Sequence, residues 1–475
     1  QLCDDSSAAT CTHTRIGKEA WAFVPKDAMP YLRYMANPDY NHIYTVDLKP
    51  YIVNLGSRVI LIGGMRFGGG TDATDADAIH PPSDTGTVGR SAYYALDITD
   101  PLKPKYLWRY APDGMGFSYS GPAYVKRKDA AGKWHYFITF ASGPTTYEGR
   151  STQDLQIFTV DLFTGEEKDV FGNVPSELGI NNAFGGRLFT NGLDINEDGQ
   201  TDYIFLGYTD KANGEYNKMT GGIIKIWTGS DDPSKWDYNK TYLGFNGSPI
   251  TAPIKVMDCF PDQLSFPFLY FGTGRYFVSN DKTQDTNGDV NYLYGVPFNY
   301  GADNTPIKGG TSINSSNNAS ALTCETLDKI NTNPLQAAWH IPLEEAGGNY
   351  LRERCYSDPS VTEYNIVFFD TARPTDVVCE CGGQARSWVV NCASGMAITD
   401  VICTGTDKYV VDEKIQFTYL IQRSGGDIQQ YGEDEFDQND DRTTSWEEGV
   451  PSEQGGLPTF PSGSMLGTIL YWKQW

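Results

Sequence analysis

The chain has 475 residues, among them 50 Gly, 26 Pro, 30 Tyr and 23 Phe, and only 20% are charged. That balance excludes a disordered chain or a coiled coil and suits one large β architecture or roughly two to three average domains. The formal net charge of −23 argues against nucleic acid or an anionic membrane as a main partner, because both select a basic face.

The sequence starts at Gln1 with no charged region followed by an apolar one, which is expected of a processed product whose signal peptide or N-terminal domain has been removed. No run of about 18 apolar residues is present, so no membrane-spanning helix is expected. Residues 1–16 read as a small-residue lead-in in which Cys3 and Cys11 are placed to close a local loop. Residues 17–36 read as a strand followed by a short helix. From there a two-part pattern recurs. An apolar strand, often ending in Gly, comes first: Val59–Gly64, Tyr136–Gly143, Tyr203–Gly207, Phe268–Gly274 and Tyr364–Asp370. A second strand running into a turn follows each: Tyr93–Pro101, Ile157–Gly165, Gly222–Gly229, Tyr292–Val296 and Trp388–Gly395. The spacing of about 60–70 residues for the first units exceeds a compact propeller blade, so loops are inserted. The pattern predicts an all-β fold, a modified β-propeller, with two β-sandwiches as the alternative. Residues 68–90 and 303–325 read as inserted surface loops, 427–449 as an exposed acidic loop, and 468–475 as a closing strand.

One connection carries chemistry. Asp194, Asn196 and Asp198 alternate, Gly199 and Gln200 follow, and Asp202 precedes the apolar strand from Tyr203. Calcium takes six to eight oxygens, and a loop supplies them with side-chain oxygens at positions 1, 3 and 5, a turn-forming Gly at 6, a carbonyl at 7 and a carboxylate at 9. Asp194, Asn196, Asp198, Gln200 and Asp202 are therefore the expected Ca2+ ligands. Position 12 is Phe205, not the bidentate Glu of an EF-hand, and a strand follows instead of a helix, so Asp202 closes the site early. The alternative is a polar Asx/Gly turn between strands.

Nine cysteines lie at 3, 11, 259, 324, 355, 379, 381, 392 and 403. Their crowding toward the C-terminal half favours disulfides and an oxidising compartment, and the odd number leaves at least one free or paired outside the chain. No CxxCH or CxxC motif occurs among them. With five His in the chain, no zinc site is expected.

Several stretches together resemble the C-terminal β-propeller of the PilY family of type IV pilus tip and biogenesis proteins. They are Ala22–Pro25, Asn37–Tyr40 with Tyr44–Asp47, Leu61–Gly64 leading to Tyr94–Pro101, and Asp194–Asp202. Phe271–Tyr276, Cys381–Trp388 and Tyr471–Trp475 also fit, in the family's order. The resemblance covers 17–475 and implies a propeller of about seven blades, exported and displayed extracellularly at the pilus tip. It implies roles in pilus extension, surface attachment and surface sensing, with minor pilins, the tip complex and a host or abiotic surface as partners. In that family an Asp-rich loop binds calcium and its occupancy governs extension against retraction. The matching positions are Asp194, Asn196, Asp198, Gln200 and Asp202. The chain departs from the family in lacking the N-terminal portion, in the insertion at 68–90 and in its cysteine content.

Weaker patterns remain. Asp285, Asn287, Asp289 and Asn291 alternate as in a second calcium loop, but Gly288 stands at position 4; a solvated Asn/Gly hairpin is the alternative. Asp72, Asp75 and Asp77 read as a flexible acidic loop or a cation site. Phe271–Tyr276 lacks the Lys and helix of a phosphate loop and reads as a tight turn, with Arg275 expected to meet a carboxylate inside the propeller. No Gly-x-Ser-x-Gly elbow accompanies the His residues, so the chain is expected not to be an enzyme. The enzyme alternative is a calcium- and quinone-dependent propeller dehydrogenase, but no two Cys are adjacent as in some such enzymes. A surface lectin-like scaffold is the other alternative.

Overall fold

The computed structural model describes residues 19–432 apart from internal stretches, the longest being 278–289 and 299–338; side chains are described as far as residue 395. The chain is nearly all β, arranged in antiparallel meanders. The first sheet has β1 (Tyr51–Asn54), β2 (Val59–Gly64), β3 (Tyr93–Asp97) and β4 (Lys105–Tyr110). The second has β5 (Ala123–Lys128), β6 (Trp134–Ala141), β7 (Ile157–Asp161) and β8 (Glu167–Phe171). The third has β9 (Phe184–Gly185), β10 (Tyr203–Asp210), β11 (Thr220–Trp227) and β12 (Asp237–Asn239). The fourth has β13 (Lys255–Cys259), β14 (Phe266–Gly272), β15 (Tyr292–Pro297) and β16 (Trp339–Pro342). In the fifth, β17 (Ser360–Val361), β18 (Ile366–Pro374) and β19 (Gly383–Asn391) are followed by a separate hairpin, β20 (Val401–Thr404) and β21 (Asp407–Val410). The sheet then resumes with β22 (Thr418–Ser424) and β23 (Asp427–Gly432). None of these sheets closes into a barrel; each is a propeller blade.

The paired strands expected from sequence are the two central strands of each four-stranded blade, and two of the three inner strands, β18 and β19, of the five-stranded fifth. β2 coincides with its expected bounds, and β3, β7, β10, β11, β14, β15, β18, β19 and β6 overlap theirs. Their legibility has a physical cause. Successive side chains in a strand point to opposite faces, and here both faces are covered. On β10, Ile204 and Leu206 join the core between the second and third sheets. Tyr203 and Phe205 join the core between the third and fourth. Equivalent cores lie between the first and second sheets and between the fourth and fifth. The strand backbone must come close for this to work: a Cβ on Gly207 would stand 2.2 Å from the Ile250 side chain.

Aromatic rings from several sheets also converge. Phe67, from the segment after β2, packs edge-on to Phe117 (5.6 Å) and to Phe277 (5.9 Å), which follows β14, and Phe184 of β9 reaches Phe277 at 5.8 Å. Arg275 lies beside this cluster, fully buried, and donates to the carbonyls of Gly149 (2.8 Å) and Glu148 (2.5 Å). The guanidinium thus donates to backbone oxygens of the segment after β6.

Three expectations change. No strand forms over 19–25: Trp21 and Phe23 dock by side chains, the indole N–H on the Pro101 carbonyl (2.7 Å) and the Phe23 ring on Tyr94 (5.0 Å), without a ladder. The short helix does form, as α1 (Met29–Met35). The base of the 68–90 insertion is buried, not a surface excursion. Gly70 N–H donates to the Gly89 carbonyl (2.8 Å) and Ser91 N–H to the Gly70 carbonyl (2.7 Å), and Thr71 is 2% exposed. The start of the acidic 427–449 segment, expected as an exposed loop, is a strand, β23, paired with β22; the rest of that segment, the expected closing strand at 468–475 and the insertion at 303–325 lie outside the described residues.

Lys225 on β11 is buried in the core between the third and fourth sheets, its ammonium 4.4 Å from the Tyr203 ring centre and 4.5 Å from that of Phe298. Burial lowers its pKa from 10.5 to about 8. The unfolded chain keeps that proton to higher pH than the folded one, so stability rises with pH between about 8 and 10.5. Lys225→Met is expected to raise stability at pH 7 by about 1–2 kcal/mol and to remove that rise. Denaturant unfolding across this pH range checks both.

Candidate metal centre

The 194–202 loop runs along the edge of the second sheet and feeds β10 of the third. Tyr124 N–H donates to the Thr190 carbonyl (2.8 Å), Thr201 N–H to the Lys126 carbonyl (3.0 Å), and Leu193 and Tyr203 bridge at the loop's base (2.7 Å). The backbone turns sharply because Glu197 and Gly199 both adopt left-handed conformations, φ 57° and 81°. A side chain at Gly199 would have space, its nearest neighbour Trp134 being 3.8 Å away. Gly is thus suited to the conformation rather than to a tight fit. Glu197 bears a strain of about 1 kcal/mol.

That turn brings the predicted oxygens into a network of local hydrogen bonds. Asp194 accepts from the N–H groups of Asp198 (3.2 Å) and Gly199 (2.8 Å), and Asn196 Oδ1 accepts from Asp198 N–H (3.1 Å). Asp198 accepts from Gln200 twice, from the backbone N–H (2.8 Å) and from Nε2 (2.7 Å). Gln200 Oε1 accepts from Lys128 N–H (2.8 Å). Asp202 Oδ2 accepts from Ile195 N–H (3.0 Å). Asp194, Gln200 and Asp202 are half-buried, while Asn196 and Asp198 are exposed.

Sequence reasoning missed one participant. Arg127 on β5 places Nη1 3.2 Å from Asp202 Oδ1 and Nη2 3.1 Å from the Gly229 carbonyl, tying the loop to the turn after β11. Nothing in the Asp/Asn/Gly spacing points to a residue from another sheet. Its charge matters for the fit of a cation. Three carboxylates less one guanidinium leave two negative charges, the complement of a divalent ion. The donor set is all oxygen, as calcium requires, but the carboxylates of Asp194, Asp198 and Asp202 are not gathered within 4.8 Å of one another in this structure. The Gln200 amide must leave Asp198 when an ion takes its place.

The carboxyl groups are held at opposite poise. Asp202 is raised above the ordinary carboxylate value, chiefly by burial, against the opposing pull of Ile195 N–H and Arg127. For Asp198 partial burial also pushes up, but the Gln200 donors together with Arg127 and Asn196 outweigh it and the net shift is downward. Asp198 thus contributes stability above its unfolded pKa that is lost as pH falls through the folded one. The Asp202 contribution is present at acid pH and lost as pH rises through its raised value.

The weaker candidates fare differently. Asp285, Asn287 and Asp289 lie outside the described residues. Asn291 is buried and committed to the fold, its Nδ2 donating to the Glu353 carbonyl (2.9 Å). Asp72 accepts from Gly114 N–H (3.0 Å) and lies 3.9 Å from Arg90, while Asp75 and Asp77 lie outside the described residues. Cys259 and Cys392 face each other across the fourth and fifth sheets at disulfide geometry, Cα–Cα 5.8 Å. Cys355 is a buried free thiol, and burial pushes it up to about 12.

No family model matches the sequence. A type IV pilus biogenesis factor PilY1 homolog of Xylella fastidiosa is 27% identical over 420 residues, covering 80% of this chain. Type IV pilus biogenesis factor PilY1 of Pseudomonas aeruginosa is 21% identical over 450 residues, covering 85% of this chain. The crystal structure of the P. aeruginosa PilY1 C-terminal domain matches over 88% of both chains, with a TM-score of 0.53 at 16% identity. The chain's homologues are PilY1 type IV pilus biogenesis factors. Its all-β fold is that of the PilY1 C-terminal domain. The chain spans between 25% and 35% of the length of these two PilY1 relatives. No helix among the described residues is long and apolar enough to cross a membrane.

Two substitutions separate the loop's roles. Asp198→Ala is expected to abolish calcium binding by calorimetry and, in chelator, to cost about 1 kcal/mol through the lost Gln200 bonds. Asp202→Asn is expected to lose calcium as well. In chelator it should instead flatten the decline of stability as pH rises through the acid range, read as thermal midpoints. Unchanged calcium binding in both variants would remove the ion from this loop.

Proposed function

We propose that the chain is the calcium-binding propeller of a type IV pilus tip and biogenesis factor, exported to the cell surface and carried at the pilus tip. It supports pilus extension and surface attachment, with surface sensing as an outcome of both, and it binds minor pilins of the tip complex. The observation that carries this reading is the relation to PilY1 factors over 80% and 85% of the chain. The oxygen-only loop at Asp194–Asp202 supports the calcium part.

The loop stands where two blades meet, with Arg127 bridging from the second sheet to the third. Calcium at Asp194, Asn196, Asp198, the Gln200 carbonyl and Asp202 supplies a hard cation that draws their oxygens together. The chain's own residues do the rest: Gly199 turns the loop, Asp194 organises its N–H groups and Arg127 holds its distal carboxylate. Occupancy thereby alters the blade seam and the surface beside it. The role is binding rather than catalysis, and no quinone chromophore is expected in the purified protein.

The test is capture of purified minor pilins by the chain, in calcium and in chelator. Capture in calcium that falls at least tenfold in chelator and in Asp198→Ala supports the proposal. Capture indifferent to both separates a pilus role from calcium, and absence of capture overturns the partner assignment. An exported protein also accommodates a Cys259–Cys392 disulfide, which closes a segment of 133 residues. Cys259→Ser is expected to lower stability by about 2–4 kcal/mol, measured by unfolding without reductant.

A further inference from the structure

Asp129, His135 and Asp231 come together at the seam between the second and third sheets, with one donor atom from each lying within 4.8 Å of the others. They are far from obvious in sequence: Asp129 and His135 flank a hairpin turn, and Asp231 comes from another sheet. His135 Nε2 stands 3.0 Å from Asp129 Oδ2. The other Asp129 oxygen is fixed by the N–H groups of Ala131 and Lys133, both at 2.9 Å, so the carboxylate is oriented before any ligand arrives. His135 sits on β6, directly opposite Arg127 on β5, and its ring stacks over Phe137 at 6.5 Å. Asp231 lies on the turn after β11. That turn is anchored by Arg127 on the Gly229 carbonyl (3.1 Å) and by the Trp236 indole N–H on the Ser230 carbonyl (2.8 Å). All three donors thus project from backbone that other contacts already hold.

We propose that these residues form a binding site for a divalent transition metal of the zinc class, distinct from the calcium loop. The donor chemistry selects the class. One imidazole nitrogen and two carboxylates suit zinc, whereas calcium prefers oxygen alone. The spacing is compatible: bonds of about 2.0–2.2 Å at a tetrahedral centre separate two donor atoms by about 3.3–3.6 Å, and His135 and Asp129 start at 3.0 Å. Metal binding moves the His135 Nε2 proton to Nδ1 or to solvent, exchanges the His135–Asp129 hydrogen bond for two coordinate bonds and adds Asp231 from across the seam. Three protein donors leave a position for water or for a group from a partner. The bound ion fastens the β5–β6 hairpin to the turn after β11, the same two elements that Arg127 joins.

The test titrates Zn2+ into the intact chain with calcium saturating, so that the hard-oxygen loop is filled, and follows binding by calorimetry and the thermal midpoint. Co2+ titration reads coordination directly through its visible absorption. One zinc per chain is expected at this site, with a raised thermal midpoint. Affinity should fall at least tenfold in His135→Ala and in Asp231→Asn and stay unchanged in Asp198→Ala. Asp231 is exposed on a turn, so its variant keeps the test valid should His135→Ala fail to fold, which circular dichroism reports. Zinc affinity unaltered in Asp231→Asn, or no zinc binding by the parent chain, overturns the proposal.

Discussion

The structure depends on one requirement: each blade has to bury both of its faces. A half-covered sheet can alternate apolar and polar residues, but the central strands of the second, third and fourth sheets face a neighbouring sheet on either side. β10 shows the result, with Tyr203 and Phe205 turned one way and Ile204 and Leu206 the other. At roughly 1.5–3 kcal/mol for each large apolar side chain fully buried, these seams are the principal source of stability. They also fix the tolerances. Gly207 permits the close approach to Ile250, and Lys225 is a charge kept in the seam at an energetic cost, offset in part by aromatic faces.

The same requirement decides what the sequence discloses. Five pairs of central strands stand out because apolar residues run almost continuously through them; β2 could be bounded to the residue. The outer strands carry no such mark. β9 has two residues and β12 three, and their pairing is imposed by the neighbours rather than by propensity. The error at 19–25 has the opposite origin. Trp21 and Phe23 supply apolar weight that resembles a strand, yet they are spent on docking rather than on a ladder.

At the Asp194–Asp202 loop, the local code was legible and the tertiary one was not. Alternating oxygens and a left-handed Gly are properties of consecutive residues, so Asp194 to Asp202 could be read in a line. Arg127 enters from β5, and its effect on the loop's charge appears only when two sheets are set side by side. The Asp129, His135 and Asp231 group is hidden for the same reason. The relation to PilY1 factors and the fold of their C-terminal domain give the loop a biological setting. The physics gives it a position: it lies at a junction of blades, where a small change in oxygen placement reaches two sheets at once.

The meander topology bears on how such a chain comes to be folded. Within each sheet, hydrogen-bonded partners follow one another in sequence, apart from the hairpin set between β19 and β22. Loop closure is therefore met in small increments, blade by blade, instead of waiting for distant segments. A growing or translocating chain can complete its first sheet before the second has emerged. What it cannot complete is the outward apolar face of the newest blade, which stays open until the next one docks. The period of greatest vulnerability to aggregation is thus the interval between successive blades, whereas the 68–90 insertion, between β2 and β3 of the first sheet, delays completion of that blade itself.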